Sequence, residues 1–268
     1  MKFMFWNTHK NKNINATICD IVWEYNVNII ILAEYDDDMS MLINQLKSNN
    51  IFMGQYLTKG CDRIAILGDM SNVTPGIQAE KYSIQIIQEK YILCAMHLTS
   101  QIYSGNNEKR RILIQSIKTE IENLENELKT DYTILTGDFN EDPYDDGCLI
   151  ASNFHGLPCK IDAKRGFRTI EKHSFSMFYN PMWNFFGDYT SPPGTYYYDG
   201  SQPKESFWHI FDQVLIRPSL IQYFEKKSLE IITSTNSYSL LDKSGRPDKM
   251  YSDHLPIVFE IKEDENGK

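Results

Sequence analysis

Apolar residues along this chain keep two rhythms, and the switches between them mark out its elements. Residues 2–6 read as an opening strand. Between 13 and 25, Ile14, Ile18, Ile21, Val22 and Tyr25 recur on one helical face. The run Asn28-Ile-Ile-Ile-Leu-Ala33 is continuously apolar, as suits a strand covered on both faces. A short helix is predicted over 39–47, and strands over 63–67, 83–88 and 91–98, with Glu89-Lys90 as a tight hairpin between the last two. The clearest helix is 107–128, where Leu113, Ile117, Ile121, Leu124 and Leu128 recur at steps of four and three. Strands follow at 132–136, 211–216, 229–234 and 256–261.

Helices interleave with strands early, and hairpin-like pairs also occur. That mixture predicts an α/β architecture, with sheets packed on each other and helices outside. No repeat or low-complexity linker interrupts residues 1–262, which read as one domain, and 263–268 read as a solvated tail. Positions 167–208 are different: rings crowd there, and Pro181, Pro192 and Pro193 exclude a long helix. The segment reads as an ordered excursion packed by its own rings. Trp183, Phe186 and Tyr197 are its candidates for lining a substrate cleft, since a ring stacked on a base contributes about 1–3 kcal/mol.

Composition narrows the function classes. With 268 residues, 41% of them hydrophobic, the chain can bury a substantial core. A net charge of −9 without a long basic run weakens a nucleic-acid-coating role, but not an enzyme that holds phosphate through metal ions. Five cysteines without a CxxC pair read as free, mostly buried thiols in a reducing compartment. No signal-like or membrane-spanning run is visible, so a cytoplasmic location without a membrane anchor is the expectation.

The chemistry sits at the ends of the apolar segments. They finish in Asn7, Glu34, His97, and Asp138 with Asn140, and near the C-terminus come Asp212, Asp253 and His254. Polar groups bordering buried segments are costly unless paired, hydrogen-bonded or metal-bound. Carboxylates and amide oxygens suit Mg²⁺ or Mn²⁺, and histidines beside them can donate to a phosphoryl oxygen. The combination implies hydrolysis of a phosphate ester. Alternation along a strand would aim Asp138 and Asn140 the same way.

The ordered set WN…LAE…HL…GDFN…FDQVLI…SDHLPI resembles the endonuclease/exonuclease/phosphatase superfamily, the fold of deoxyribonuclease I, over roughly residues 2–262. The resemblance implies a four-layer α/β sandwich, two facing mixed sheets with helices on the outer sides. It implies Asn7, Glu34 and Asp253 as metal-side residues, and Asp138 as the group that orients or deprotonates water. Asn140 and His97 become phosphate contacts, and His254 the transition-state stabiliser oriented by Asp212. Arg111 and Gln115 match the family's Arg-x-x-x-Gln helix, with Arg111 supporting the site near the substrate, while Lys109 and Arg110 are expected in a solvated first turn. His97 stands where abasic-site endonucleases typically carry Tyr, which places the chain nearer the deoxyribonuclease, phosphatase and deadenylase side. His9 departs from the usual Asn, Asp or Arg. Asp36, Asp37 and Asp38 are expected to be a solvated helix start, and His155, His173 and His209 surface or structural. The expected activity is a Mg²⁺-dependent nuclease with no obligate protein partner. The alternatives are a phosphatase or phosphodiesterase for a small molecule or lipid headgroup, and a non-catalytic binding module.

Overall fold

A computed structural model of the chain describes residues 1–100, 107–201, 203 and 205–263. Strands β1 (Lys2–Asn7), β2 (Ile29–Ala33), β3 (Gly54–Gln55), β4 (Ile64–Gly68), β5 (Val73–Ala79), β6 (Tyr82–Ile87), β7 (Tyr91–His97) and β8 (Thr133–Asp138) come first. They are followed by β9 (Gly156–Leu157), the hairpin β10 (Phe167–Ile170) and β11 (His173–Ser176), β12 (Phe178–Tyr179), the pair β13 (Tyr196–Tyr197) and β14 (Trp208–His209), β15 (Asp212–Ile216), β16 (Glu230–Ile231) and β17 (Ile257–Glu260). The longer helices are α1 (Asn15–Tyr25), α2 (Met39–Ser48) and α3 (Asn107–Leu128).

One sheet runs β16-β17-β1-β2-β4-β3 and the other β5-β6-β7-β8-β15-β12-β9. Both are mixed: β1 pairs parallel with β2 and β7 parallel with β8, while most remaining pairs are antiparallel.

Period-two alternation decides the layers. Phe3 and Phe5 of β1 join Leu93 and Ala95 of β7 and Val214 and Ile216 of β15 in the core between the sheets. The alternate residues Met4 and Trp6 turn outward onto Ile18 and Val22 of α1. On the other sheet Ile92, Cys94 and Met96 turn outward onto Ile114, Ile117 and Ile121 of α3. The result is the α/β/β/α sandwich the resemblance implied. Each large side chain buried here contributes about 1.5–3 kcal/mol, so the strands' continuous apolar character is explained by cover on both faces.

Several expectations shift in detail. β5 reads poorly from sequence because Pro75 and Gly76 lie within it; it survives as an edge strand with a register shift between Pro75 and Gln78. The strand expected over 229–234 shortens to β16. Asp36–Asp38 do more than solvate a helix start. Asp38 caps α2 through the Met41 amide, and Asp37 Oδ2 accepts the Ile14 and Asn15 amides at the start of α1. The aromatic excursion is not packed only by its own rings. Phe178 joins the core under α3, and Tyr179 and Met182 join the core between the sheets. Four of the five cysteines are buried free thiols, and Cys159 is exposed. Among the described residues, no helix is long and apolar enough to cross a membrane.

Candidate active site

The alternation that builds the inter-sheet core continues one step past it. Phe3 and Phe5 are followed in step by Asn7, Leu93 and Ala95 by His97, and Ile134 and Thr136 by Asp138. β15 runs antiparallel to β8, so its first residue, Asp212, arrives where β8 ends. His97, Asp138 and Asp212 are therefore register partners across three adjacent strands. Asn7 reaches them from the facing sheet, its Nδ2 donating to Asp138 Oδ2 at 2.9 Å. One mouth of the sandwich thus collects four polar side chains.

Backbone geometry sets the rest. A Cβ on Gly137 would stand 2.0 Å from the Met96 carbonyl oxygen, so only glycine lets β8 approach β7 this closely before Asp138. Glu34 follows β2 with a left-handed φ of 50°, held by its amide on the Arg63 carbonyl. This turn brings Glu34 Oε1 to 3.7 Å from His97 Nε2. Asn140 also is left-handed, with φ 48°. Its backbone amide donates to Asp138 Oδ1 at 2.8 Å and its Nδ2 donates to the Leu98 carbonyl. Simple strand alternation of Asp138 with Asn140 is thereby corrected: the strand ends at Asp138, and an Asx-type turn aims Asn140 instead.

His254 enters from the segment before β17. Its Nδ1 lies 2.8 Å from Asp212 Oδ2, while Nε2 is 3.9 Å from Asp138 Oδ2 and 4.0 Å from Asp253 Oδ1. Contacts of 4.0 Å or less thus link Glu34, His97, Asp138, His254 and Asp253 in one chain of ionisable groups. Burial pushes the His254 imidazole down, but Asp212 and then Asp138 outweigh it and raise it to about 10. Asp138 is raised, chiefly by burial, with His254 pulling it back. His97 is lowered, chiefly by burial, with Asp138 opposing.

Oxygen chemistry and exposure bear on where a hard cation would bind. Glu34 and Asp253 are the partly exposed carboxylates of the mouth, 22% and 18% accessible. Asp253 Oδ1 is buried without a hydrogen bond, although His9 Nδ1 lies 3.1 Å away. A desolvated carboxylate oxygen is costly unless a donor or a cation faces it, and His9 is the group that does so here. Asp138, Asp212 and His254 also bring ligand atoms within 4.8 Å of one another. Those atoms are already engaged: Asp212 with His254, and Asp138 with Asn7 and Asn140. Partly exposed carboxylates such as Glu34 and Asp253 are the donor type that hard cations such as Mg²⁺ or Mn²⁺ take.

Other expected residues are distributed unevenly. Arg111 is exposed, while Arg110, expected in solvent, is buried. Arg110 donates to the Thr99 and Phe139 carbonyls and lies 2.9 Å from Glu141, bracing the loop after Asp138. Helical phase explains the difference: Arg110, four residues before Ile114, shares its inward face. Gln115 bonds Asn153. Tyr197 borders a recess of about 690 Å³ that also touches His9 and Asp253. Trp183 and Phe186 pack instead on Tyr144, with centroids 6.4 and 5.5 Å away.

Sequence reasoning passed over three supports. Ser252 Oγ donates to the Asn7 carbonyl and accepts the His254 amide. Trp6 Nε1 donates to the His254 carbonyl, and the Tyr196 ring lies 4.7 Å from the His254 ring. Trp6 and Ser252 lie inside the WN and SDHLPI motifs, which was the available signal. His155, expected to be surface or structural, is buried, and His173 is exposed.

No family model matches the sequence, and no curated protein matches it. Solved structures do match. A 3'-5' exonuclease (NExo) from Neisseria meningitidis aligns at TM-score 0.58 and 14% identity, covering 98% of this chain and 100% of that one. An AP endonuclease from Archaeoglobus fulgidus aligns at TM-score 0.59 and 13% identity, covering 97% and 99%. The endonuclease domain of TRAS1, a telomere-specific non-LTR retrotransposon, aligns at 0.56 and 10%, covering 98% and 99%. The chain has the deoxyribonuclease I-like α/β sandwich fold to which its motifs pointed.

Proposed function

We propose that the chain is a divalent-metal-dependent hydrolase of phosphate esters, acting as a nuclease on phosphodiester bonds. The observation that carries this reading is the row His97, Asp138, Asp212, with Asn7 on Asp138 and His254 on Asp212, at a mouth also bordered by Glu34 and Asp253. A cation held by Glu34 and Asp253, with Asn7 beside them, would supply Lewis-acid polarisation of a phosphoryl oxygen.

The protein's own groups divide the remaining work. Asn7 and the Asn140 amide hold the two oxygens of Asp138, fixing it to orient water and take its proton. Asp212 keeps His254 an imidazolium and fixes its ring, leaving Nε2 directed toward Asp138 and the mouth. That N–H stabilises the negative charge that grows on phosphorus-bound oxygen. His97, beside both Glu34 and Asp138, contributes a second polar contact to the phosphate.

A second reading keeps the site and takes a phosphate monoester. It is favoured by the net charge of −9 and by a further structural match, the 3' phosphatase NExo (D146N) from Neisseria bound to product DNA hairpin. One assay separates the readings: plasmid, single-stranded DNA, RNA and a set of phosphate monoesters, each with Mg²⁺ or Mn²⁺ and with chelator. Cleaved polynucleotide supports the nuclease, and released inorganic phosphate alone supports the monoesterase. Silence on every substrate overturns both and leaves a binding module.

A further inference from the structure

A second histidine–carboxylate centre lies behind the mouth. His209 Nδ1 is 2.7 Å from Asp142 Oδ2 and Nε2 is 2.9 Å from Glu205 Oε1. The three side chains are only 14%, 3% and 8% accessible. With both carboxylates ionised, both ring nitrogens must donate, and imidazolium is the form that does so. Asp142 belongs to the loop after Asp138 and Asn140, whereas Glu205 belongs to the connection between β13 and β14. The ring therefore ties two separate segments together.

Those segments hold the candidate catalytic pair. The β13–β14 register pairs Tyr196 with His209 and Tyr197 with Trp208. Next to Tyr196, Thr195 Oγ1 accepts the Asp212 amide and the Thr195 carbonyl accepts the Leu255 amide. Tyr196 is bridged to His254. A continuous run of rings joins the two histidines: His209 on Phe211 at 4.7 Å, Phe211 on Tyr196 at 5.2 Å, and Tyr196 on His254 at 4.7 Å. The connection is strained, because Phe207 carries a φ of 65°, which is unfavourable for a bulky side chain. Glu205 Oε1 also accepts the Phe207 amide, so one carboxylate holds both the strained turn and the histidine.

We propose that His209 is a positioning residue, a latch whose bonds to Asp142 and Glu205 hold the tyrosine hairpin against the mouth and so set the His254–Asp212 geometry. The proposal rests on the hydrolase reading for its catalytic consequence, though not for the latch itself. The groups facing the ring are Asp142, Glu205, and the rings of Tyr196 and Phe211; Tyr144 and Asp145 in turn bond Asp142. Burial lowers the His209 pKa, but Asp142 and then Glu205 outweigh it, and the net shift is upward. The sign follows: the latch is complete below the ordinary imidazole range and is lost as pH rises through the raised folded-state value.

The test combines imidazole nitrogen NMR with kinetics on whichever phosphoester the wild type hydrolyses. Across a pH titration, wild-type His209 should keep two protonated nitrogens to a pH above the ordinary imidazole pKa. Glu205→Ala should lower the pH at which His209 loses its second proton, shift the His254 resonances, and lower kcat by about 10- to 100-fold with a smaller change in KM. Glu205→Gln retains an acceptor. It should recover much of kcat at low pH and lose it at a lower pH than wild type does; it also serves as the test should Glu205→Ala fail to fold. A wild-type His209 that loses its second proton at or below the ordinary imidazole pKa, or a folded Glu205 variant with unmoved His254 resonances and unchanged kcat, overturns the latch. If the wild type hydrolyses nothing, the hydrolase reading fails, while the NMR arm still decides the latch.

Discussion

His254 and His209 are both enclosed imidazoles raised by carboxylates, and stacked rings connect them. They differ in how much of the ring is used. His209 has a carboxylate oxygen within 3 Å of each nitrogen. His254 spends Nδ1 on Asp212, while its Nε2 comes no nearer than 3.9 Å to a carboxylate in the mouth. The same pairing therefore serves two ends. A ring bound on both sides can only hold segments together, while a ring bound on one side keeps a charged donor for something that enters.

The largest expected effect separates these roles through the chemistry. His254→Ala or Asp138→Ala should lower kcat by about 10²- to 10⁴-fold, measured on purified folded protein with the best substrate of the panel. Activity near wild type in either variant removes the catalytic assignment and with it the contrast.

Stability sharpens the other side. Asp142→Ala leaves a part-buried imidazolium short of one partner and the buried Ile210 amide without its acceptor, which together should cost about 3–5 kcal/mol, read from urea unfolding at neutral pH. A cost under about 1 kcal/mol, the worth of an exposed pair, would show that His209 is not a structural latch.

Metal affinity should distinguish the mouth from the latch more modestly. Glu34→Gln or Asp253→Asn should weaken Mn²⁺ binding by about 10-fold or more in calorimetric titration, whereas Glu205→Gln should leave it unchanged. Equal weakening in all three would place Glu205 within the metal's surroundings and erase the distinction. Smallest of all, Arg111→Ala on the exposed face of α3 should stay within about 0.5 kcal/mol of wild-type stability; a larger loss would mean that it shares the bracing done by its buried neighbour Arg110.

Legibility followed local periodicity. Asn7, His97, Asp138 and Asp212 could be picked out because each stands at the end of an apolar segment, and the structure puts all four in step with the inter-sheet face. Glu34 and Asn140 were recognisable as motif residues, but their left-handed backbones were not, since no glycine announced them. Arg110 and Arg111 were exchanged because motif spacing does not give helical phase against a particular sheet. His209 offered no local signal: one of its carboxylates lies four residues away and the other 67.

What the sequence determined by itself was the succession of strands and helices and the stock of oxygen and imidazole groups at strand ends, because both follow from side-chain period and residue chemistry over a few neighbours. Only the tertiary structure decided which of those groups meet. Asn7 finds Asp138 across 131 residues, and Trp6 finds the His254 carbonyl across 248. Such contacts depend on strand order and on the turn at each strand end, and these are set by the packing of whole sheets rather than by any short stretch of chain.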